Sequence, residues 1–155
     1  MSRKDRLVTD KEVLIAIIDR SQVIHIGMHE GEDIYVIPMN YGYTWEDGEL
    51  TFYLHGALEG KKIDLLKQNP RIGFEIDCDH ELVEGKVPCQ YGFKFASVAG
   101  KGVAEILEDP REKIAALEHL MRQYSDREFE FNERLVSIVS VIRVRVSEFT
   151  GRIRK

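Results

Sequence analysis

The sequence predicts a mainly β protein of the α+β class, in which six antiparallel strands form a barrel with helices packed outside it. Three observations support this prediction. Segments with strand character outnumber helical ones, tight turns such as Asp47-Gly48 join consecutive strands, and the regular alternation of a doubly wound parallel sheet is absent. With 155 residues and 43% apolar side chains the chain can bury one substantial core, so we expect a single domain over residues 1–155.

The first half of the chain predicts one helix followed by three strands. Thr9 to Arg20 has helical apolar spacing, with Thr9 as the N-cap and Glu12 completing a capping box. Apolar and β-branched runs then predict strands at 22–28, 34–45 and 50–55. Pro38 has no N–H to give to a sheet ladder, so the second strand must lie at an edge, or bulge, at that point.

The second half predicts two helices and three strands around a long loop. Residues 58–68 are helical and end at the following Asn-Pro pair, and a later helix begins at Pro110 with Asp109 as its N-cap. Gly100 and Gly102 predict a bend of the kind that closes a barrel. Strands are predicted at 71–77, 93–107 and 135–149, a polar loop at 78–92 and a solvated basic tail at 150–155.

Composition and charge argue against several classes of function. The formal net charge of −5 disfavours general nucleic-acid binding, which needs a basic face. No apolar run approaches the ~18 residues of a membrane span, and the N-terminus lacks a signal core, so we expect a cytoplasmic protein. In that compartment Cys78 and Cys89 should stay reduced. The five histidines lack ligand-like spacing, so no metal site is expected.

The stretch LTFYLHGALEGKKIDLL concentrates cationic residues where a strand runs into a helix. Lys61 and Lys62 lie in the first helical turn, where a positive charge destabilises the helix by a few tenths of a kcal/mol unless a nearby anion compensates it. That anion could be Glu59, or a phosphate held at the helix N-terminus. His55 closes the preceding strand, where it could donate to a ligand, accept a proton or satisfy a backbone carbonyl.

Two further stretches depart from an ordinary core strand. VIPMNYGY combines a proline with polar and permissive residues, which leaves backbone groups free for the polar edge of a planar heterocycle. The same pattern also fits a strand end that enters a hairpin. Ser97 stands in mid-strand, where it could hydrogen-bond a ligand or face solvent.

Together these motifs resemble the FMN-binding split-barrel superfamily that includes pyridoxamine 5′-phosphate oxidase. Within it the chain is most similar to the nitroimidazole-resistance (Nim-type) flavoproteins. Their pattern of P-x-N-Y-x-Y, a hairpin, Y-x-H-G-x-x-x-G-x-K and N-P-x-x-x-F-x-x-D is present in order, and the resemblance spans residues 3 to 151. It implies a six-stranded antiparallel split β-barrel.

The resemblance also implies a homodimer with FMN, or FAD, bound at the subunit interface. By position, Gly60, Lys61 and Lys62 would face the phosphate. His55 matches the histidine that Nim-type proteins place near the flavin, where it would assist reduction of a nitro group. The remaining expected cofactor contacts, which border the ring or line the neighbouring strands, are Pro38, Met39, Asn40, Tyr41, Tyr53, Leu54, Gly56, Ser97 and Val98.

The implied function is an FMN-dependent oxidoreductase that passes electrons from a nicotinamide donor to a small acceptor such as a nitroaromatic compound. A flavin-binding or sensing module without turnover would share every cofactor residue. Pyridoxamine 5′-phosphate oxidase activity is disfavoured, because that branch uses a C-terminal Trp and Arg pair, whereas the sole tryptophan here is Trp45. A haem-handling relative of the barrel is a further alternative, and an oligonucleotide-binding barrel is disfavoured by the acidic charge.

Overall fold

A computed structural model describes residues 3–155 of the protein. In this part of the chain short connections link most of the elements. Its strands are β1 (Leu7–Val8), β2 (Ile24–Glu30), β3 (Asp33–Met39), β4 (Gly42–Glu46), β5 (Glu49–Ala57), β6 (Arg71–Val83), β7 (Gly92–Ile106) and β8 (Val139–Arg154). Its α-helices are α1 (Lys11–Arg20), α2 (Lys61–Gln68), α3 (Pro110–Tyr124) and α4 (Glu133–Val136), and 3₁₀ turns span Arg3–Arg6 and Pro88–Gln90.

The strands form one antiparallel sheet in the order β3-β2-β6-β7-β8-β5-β4, with β1 added alongside β8. The two strands at the ends of this order, β3 and β4, are consecutive in the chain. Only Asn40 and Tyr41 separate them, so the Cα atoms of Met39 and Gly42 lie at most about 11 Å apart. The sheet therefore curls until its edges almost meet, but β3 and β4 do not pair with each other. This is the split barrel of the α+β class that the sequence predicts.

The expectation of six strands is wrong in two places. The predicted strand at 34–45 is two strands, because the chain leaves one edge of the sheet after Met39 and joins the other at Gly42. Leu7 and Val8 form an additional short strand, since they pair with Arg152 and Gly151 of β8. Neither event is a property of local sequence. Both depend on where the rest of the sheet lies.

The polar segment 78–92 is a loop only in part, because residues 78–83 belong to β6 whereas residues 84–91 lie outside the sheet. β6 continues to Val83 because Glu81, Leu82 and Val83 pair with the start of β7, after a bulge that follows Cys78. The basic end of the chain is also strand and not a solvated tail, since Gly151 pairs with Val98 in the centre of the sheet. In both segments long-range pairing overrides the polar composition.

The start of α3 agrees with the prediction, whereas that of α1 does not. Asp109 Oδ1 accepts from the N–H of Arg111, and α3 begins at Pro110 as predicted. α1 begins later than predicted, because its cap is Asp10, which accepts from the N–H of Glu12 at 2.9 Å, and not Thr9.

Two further boundaries differ from those that the sequence predicts. α2 starts at Lys61, three residues after Leu58. The predicted strand at 135–149 starts only at Val139, because Asn132 caps the short helix α4 by accepting from the N–H of Leu135.

The strands of greatest length bend as the glycine pattern predicts. β7 and β8 change register between Lys101 and Gly102. A Cβ at Gly100 would lie 2.1 Å from the carbonyl oxygen of Glu148, and one at Gly102 would lie 2.6 Å from that of Arg145. Both glycines are therefore needed for β8 to approach β7 at the bend.

The interior of the barrel is filled by aliphatic and aromatic side chains from α1, α2 and alternate positions of the strands. A second, smaller cluster joins α3 and α4 to the outer face of β5 and β8. Cys78 is buried and Cys89 is exposed, and neither forms a disulfide. Among residues 3–155, no helix is long and apolar enough to cross a membrane.

The crossing between the sheet edges is anchored by Tyr41, whose side chain is fully buried. Its phenol donates to the carbonyl oxygens of Ile18 and Ser21, at 2.5 and 2.9 Å, where α1 ends. Its backbone N–H donates to the hydroxyl of Tyr124 on α3 at 2.8 Å. Burial raises the pKa of Tyr41, so the phenol stays protonated and keeps its donor. Both helices are thereby tied to the crossing.

Replacing Tyr41 with Phe should lower the free energy of unfolding by about 1–3 kcal/mol, because the buried phenol no longer donates to the carbonyl oxygens of Ile18 and Ser21, which keep the Gln123 amide as a donor. Denaturant unfolding followed by circular dichroism would measure this. Tyr91→Phe is the matched control, since Tyr91 is 50% exposed, and it should change stability by less than about 0.5 kcal/mol. Equal effects of the two substitutions would contradict the anchoring role of Tyr41.

Candidate functional site

The N-terminus of α2 has the properties of an anion site. Gly60 occupies the N-cap position with φ +144°, a conformation that glycine adopts more readily than other residues, and provides no side-chain hydrogen bond. The first N–H groups of the helix thus lack a side-chain cap, and the helix dipole adds partial positive charge. Phosphates bind to such helix ends.

Lys61 already has an anionic partner, and it is not the predicted Glu59. Its Nζ lies 2.5 Å from Oε2 of Glu30 at the end of β2 and 4.4 Å from the centre of the Tyr35 ring on β3. The hydrogen bond to Glu30 raises the pKa of the Lys61 ammonium. Much of the charge of Lys61 is therefore answered within the chain, and α2 is tied to the β2-β3 hairpin.

Lys62 differs from Lys61, because it forms no ion pair among residues 3–155. Its side chain runs across Gly56 on β5, where an added Cβ would lie 2.2 Å from Nζ. Together with Met39 and Leu54 it lines a narrow apolar crevice in the centre of the barrel. Gly56 thus gives Lys62 the space that it needs. Lys62 is partly buried and has no counter-charge among residues 3–155, which is an unfavourable arrangement unless an anion binds.

His55 lies beside this cation. It occupies an outward position of β5, opposite Val141 of β8, and its side chain is exposed to solvent. Partial burial by its neighbours, and then the nearby Lys62 ammonium, lower the pKa of His55 below its ordinary value. The imidazole is therefore neutral at pH 7, so that one ring nitrogen can donate a hydrogen bond and the other can accept one.

The predicted contacts on β3 and at the edge crossing divide into exposed and buried groups. Pro38 and Asn40 are exposed, and the Asn40 side chain makes one long hydrogen bond, of 3.5 Å, to the carbonyl of Gln22. The Tyr41 side chain is in the core and its N–H donates to the Tyr124 hydroxyl, so neither is free to contact a ligand in this structure. Only its carbonyl could meet a ligand.

The predicted contacts on β5 and β7 face opposite sides of the sheet. Leu54 and Val98 are buried in the barrel, so they could offer a ligand little beyond their backbone. Tyr53 faces outward and stacks on His119 of α3, with ring centres 5.0 Å apart. Its hydroxyl oxygen lies 3.3 Å from the hydroxyl oxygen of Thr44. Ser97 also faces outward, on β7, where it lines a cavity together with other residues.

The structure brings most of these residues together, with Ser97 and Val98 as the exceptions. His55 pairs with Val141 of β8, whereas Ser97 pairs with Arg152, eleven residues further along the same strand. A straight strand of that length extends about 35 Å. The chain therefore presents a region around Gly56 and Lys62 and, well apart from it, a second region around Ser97.

Sequence reasoning did not identify Glu30 as the partner of Lys61. No local pattern could have indicated it, since the two residues lie on different elements that meet only after folding. It also overlooked Glu75 and Asp77 on β6. Here a signal existed, because residues two apart in a strand point to the same face, and two carboxyl groups side by side on a sheet are unusual.

The comparisons with known proteins agree with this architecture. A family model described as pyridoxamine 5′-phosphate oxidase matches residues 10–153. The chain belongs to the pyridoxamine 5′-phosphate oxidase family. No curated protein is significantly similar to it. The crystal structure of a candidate 5-nitroimidazole antibiotic resistance protein from Bacteroides thetaiotaomicron is similar to this chain, with 32% sequence identity and a TM-score of 0.81. The match covers 95% of this chain and 86% of that chain.

More distant structures share the fold of this member of the pyridoxamine 5′-phosphate oxidase family. A flavocytochrome from Azotobacter vinelandii is 21% identical, with a TM-score of 0.80 over 100% of this chain and 72% of that chain. An FAD- and haem-binding protein from Mycobacterium smegmatis is 12% identical, with a TM-score of 0.84 over 97% of this chain and 74% of that chain.

In the family member described here, Trp45 packs edge-on against Phe149, with ring centres 5.4 Å apart.

Replacing Lys62 with Ala should raise the pKa of His55 towards 6.5 without reaching it, because the cation is removed while the burial of the imidazole remains. A pH titration of the histidine resonances by NMR would measure the change. Lys67→Ala, in the last turn of the same helix, should leave the pKa of His55 unchanged. An unaltered His55 titration in the Lys62 variant would show that the two side chains do not interact.

Proposed function

We propose that the protein is a flavin-dependent oxidoreductase that uses FMN, or FAD, to pass electrons from a nicotinamide donor to a small acceptor such as a nitroaromatic compound. The observation that carries the proposal is the unpaired ammonium of Lys62 beside the uncapped N-terminus of α2, with His55 next to it. The 32% identity to a candidate nitroimidazole-resistance protein supports the class of acceptor.

The residues at the mouth of α2 fit a flavin phosphate. The phosphate would take hydrogen bonds from the first N–H groups of α2 and neutralise Lys62, which has no carboxylate partner in the described chain. Lys61 would contribute less, because Glu30 already holds it. The exposed Pro38 and Asn40 would then border the ring. A diphosphate could occupy the same helix end, so this geometry does not favour FMN over FAD.

His55 is suited to deliver a proton to the acceptor. A bound flavin would supply the redox chemistry, which is hydride acceptance and electron release. Two-electron reduction of a nitro group to a nitroso group consumes one NAD(P)H and one proton and yields NAD(P)⁺ and water. Because burial and Lys62 lower its pKa, His55 is mostly neutral at pH 7, and its minor imidazolium form, replenished from solvent, would be the proton donor. Its solvent exposure leaves room for an acceptor to approach.

A homodimer would complete the site. His55 and Ser97 pair with positions eleven residues apart on β8, too far for one protomer to present both to one flavin ring. If Ser97 and Val98 contact the ring, they must come from a second subunit, whose outer sheet face would lie against the mouth of α2. A two-fold axis would then generate two equivalent flavin sites.

The purified protein should be yellow, or become so when FMN is added, and should oxidise NAD(P)H in the presence of a nitroaromatic acceptor. His55→Ala should retain flavin but lower kcat by about 10²-fold or more, because the proton donor is lost. His29→Ala, at an exposed position of β2, is the matched control and should retain full turnover. Flavin binding with no acceptor reduction in the wild type would favour a non-catalytic flavin-binding module.

Subunit exchange tests the shared site. Lys62→Ala and Ser97→Trp should each lose flavin as homodimers. Mixing the two variants should restore about a quarter of the wild-type flavin content, because about half of the dimers are mixed and each of these keeps one intact site. If both residues served the same subunit's site, mixing would restore nothing. A monomer in analytical ultracentrifugation would also contradict the dimer.

A further inference from the structure

The hydroxyl of Tyr124 takes the place of a sheet hydrogen bond where β3 separates from β2. The last paired residues of these two strands are Ile24 and Met39. Beyond them the N–H of Tyr41 donates to the Tyr124 hydroxyl at 2.8 Å, and this hydroxyl donates in turn to the carbonyl oxygen of Gln22 at 3.1 Å. A side chain of α3 is therefore inserted between the ends of the two strands.

This contact fixes the peptide group that joins Asn40 to Tyr41. The peptide bonds of residues 3–155 are all trans, so the C=O of such a group points away from its N–H. Because the N–H of Tyr41 points at the Tyr124 hydroxyl, the carbonyl of Asn40 points in the opposite direction. Burial raises the pKa of Tyr124, so the phenol stays protonated and retains its hydrogen bond to Gln22.

The register of the strands gives the same orientation independently. A two-residue turn with Gly31 at φ +61° joins β2 to β3, so the pair that closes it exchanges both of its ladder hydrogen bonds. Such pairs alternate along the ladder with pairs that exchange none. Pro38, which has no N–H to donate, falls at a pair of the second kind. Asn40 lies two residues further on, so its N–H and C=O also face away from β2.

The backbone of Asn40 therefore faces the open edge of the sheet. β3 is the last strand in the sheet order, and within residues 3–155 no strand pairs with its outer edge. Asn40 is also exposed to solvent. Met39, the residue before it, lines the crevice that contains Lys62, so this edge adjoins the proposed phosphate site. A flavin whose phosphate binds at Lys62 could thus place its ring at this edge.

An exposed N–H and C=O on one residue form a specific recognition element. They make two hydrogen bonds with a cyclic imide, which carries an N–H next to a C=O on the edge of its ring. The pyrimidine-dione ring of a flavin has this edge at N3, whereas its dimethylbenzene end has no hydrogen-bonding group. The Asn40 backbone can therefore distinguish one end of the flavin ring from the other.

We propose that the backbone of Asn40 binds the imide edge of the flavin ring and that Tyr124 is the residue that positions it. The N3–H of the ring donates to the Asn40 carbonyl, and a ring carbonyl accepts from the Asn40 N–H. Tyr124 does not touch the flavin and acts through the peptide that it orients. The inference rests on the proposed function, because its ligand is the flavin of that site.

A flavin methylated at N3 tests the proposal. Titration of the flavin-free, full-length protein with FMN and with N3-methyl-FMN, followed by flavin fluorescence, gives a Kd for each. N3-methyl-FMN should bind at least about tenfold more weakly, because the methyl group removes the donor and collides with the Asn40 carbonyl. Equal Kd values would overturn the inference and leave the proposed function standing, whereas binding of neither flavin would overturn both.

Substitution of Tyr124 tests its positioning role. Tyr124→Phe should reduce the ratio of the two Kd values to about threefold or less, because the peptide loses its fixed orientation. Tyr91→Phe, which removes an exposed hydroxyl, should leave the ratio unchanged. Lys62→Ala should raise both Kd values by the same factor, since it acts on the phosphate and not on the ring. If Tyr124→Phe also weakens both flavins equally, Tyr124 has only a structural role and its assignment falls.

The N3–H resonance of bound, ¹⁵N-labelled FMN provides a second measurement. A hydrogen bond to the Asn40 carbonyl should move this proton downfield of its position in free FMN and slow its exchange with water. Both effects should be lost in Tyr124→Phe. An N3–H that exchanges as fast in the wild-type complex as in free FMN would contradict the hydrogen bond.

Discussion

The two edges of the sheet are joined by a crossing of only two residues, and the buried phenol of Tyr41 holds that crossing in place. The chain cannot pass from β3 to β4 unless the sheet is curled. The curl is held because the Tyr41 hydroxyl donates a hydrogen bond to the end of α1 and the Tyr41 N–H donates one to Tyr124 of α3. Gly42 follows immediately, and a Cβ there would lie 2.4 Å from the α3 backbone. The curl of the sheet and the docking of both helices therefore depend on the same crossing.

The curl of the sheet also determines which of the two lysines has an ion-pair partner. It brings α2 against the β2-β3 hairpin, where Glu30 and Tyr35 take up the charge of Lys61. It leaves Lys62 over Gly56 without an ion-pair partner in the described part of the chain. Two neighbouring lysines in one helical turn thus have different roles. The first holds the helix to the sheet, and the second remains available for an anion, which is why the proposed phosphate site depends on Lys62.

Much of this arrangement was predictable, because its signals are local. The Asp109 cap, the glycine bend at Gly100 and Gly102 and the strand-to-helix turn at Gly60 all depend on residues close together in the chain. The unsuccessful predictions share one cause. Residues 78–83 and 150–154 were expected outside the sheet because they are polar, but pairing with β7 makes them strand.

The sequence by itself determined the fold class, the family motifs and the types of residue at the helix mouth, since periodicity, capping and turn chemistry are read from near neighbours. Only the tertiary structure decided that Lys61 is paired and Lys62 is not, that Tyr41 is a core residue, and that Ser97 is remote from His55. The physical reason is that charge compensation and burial depend on groups that meet across the sheet. The separation of these groups in the sequence does not indicate that they will meet.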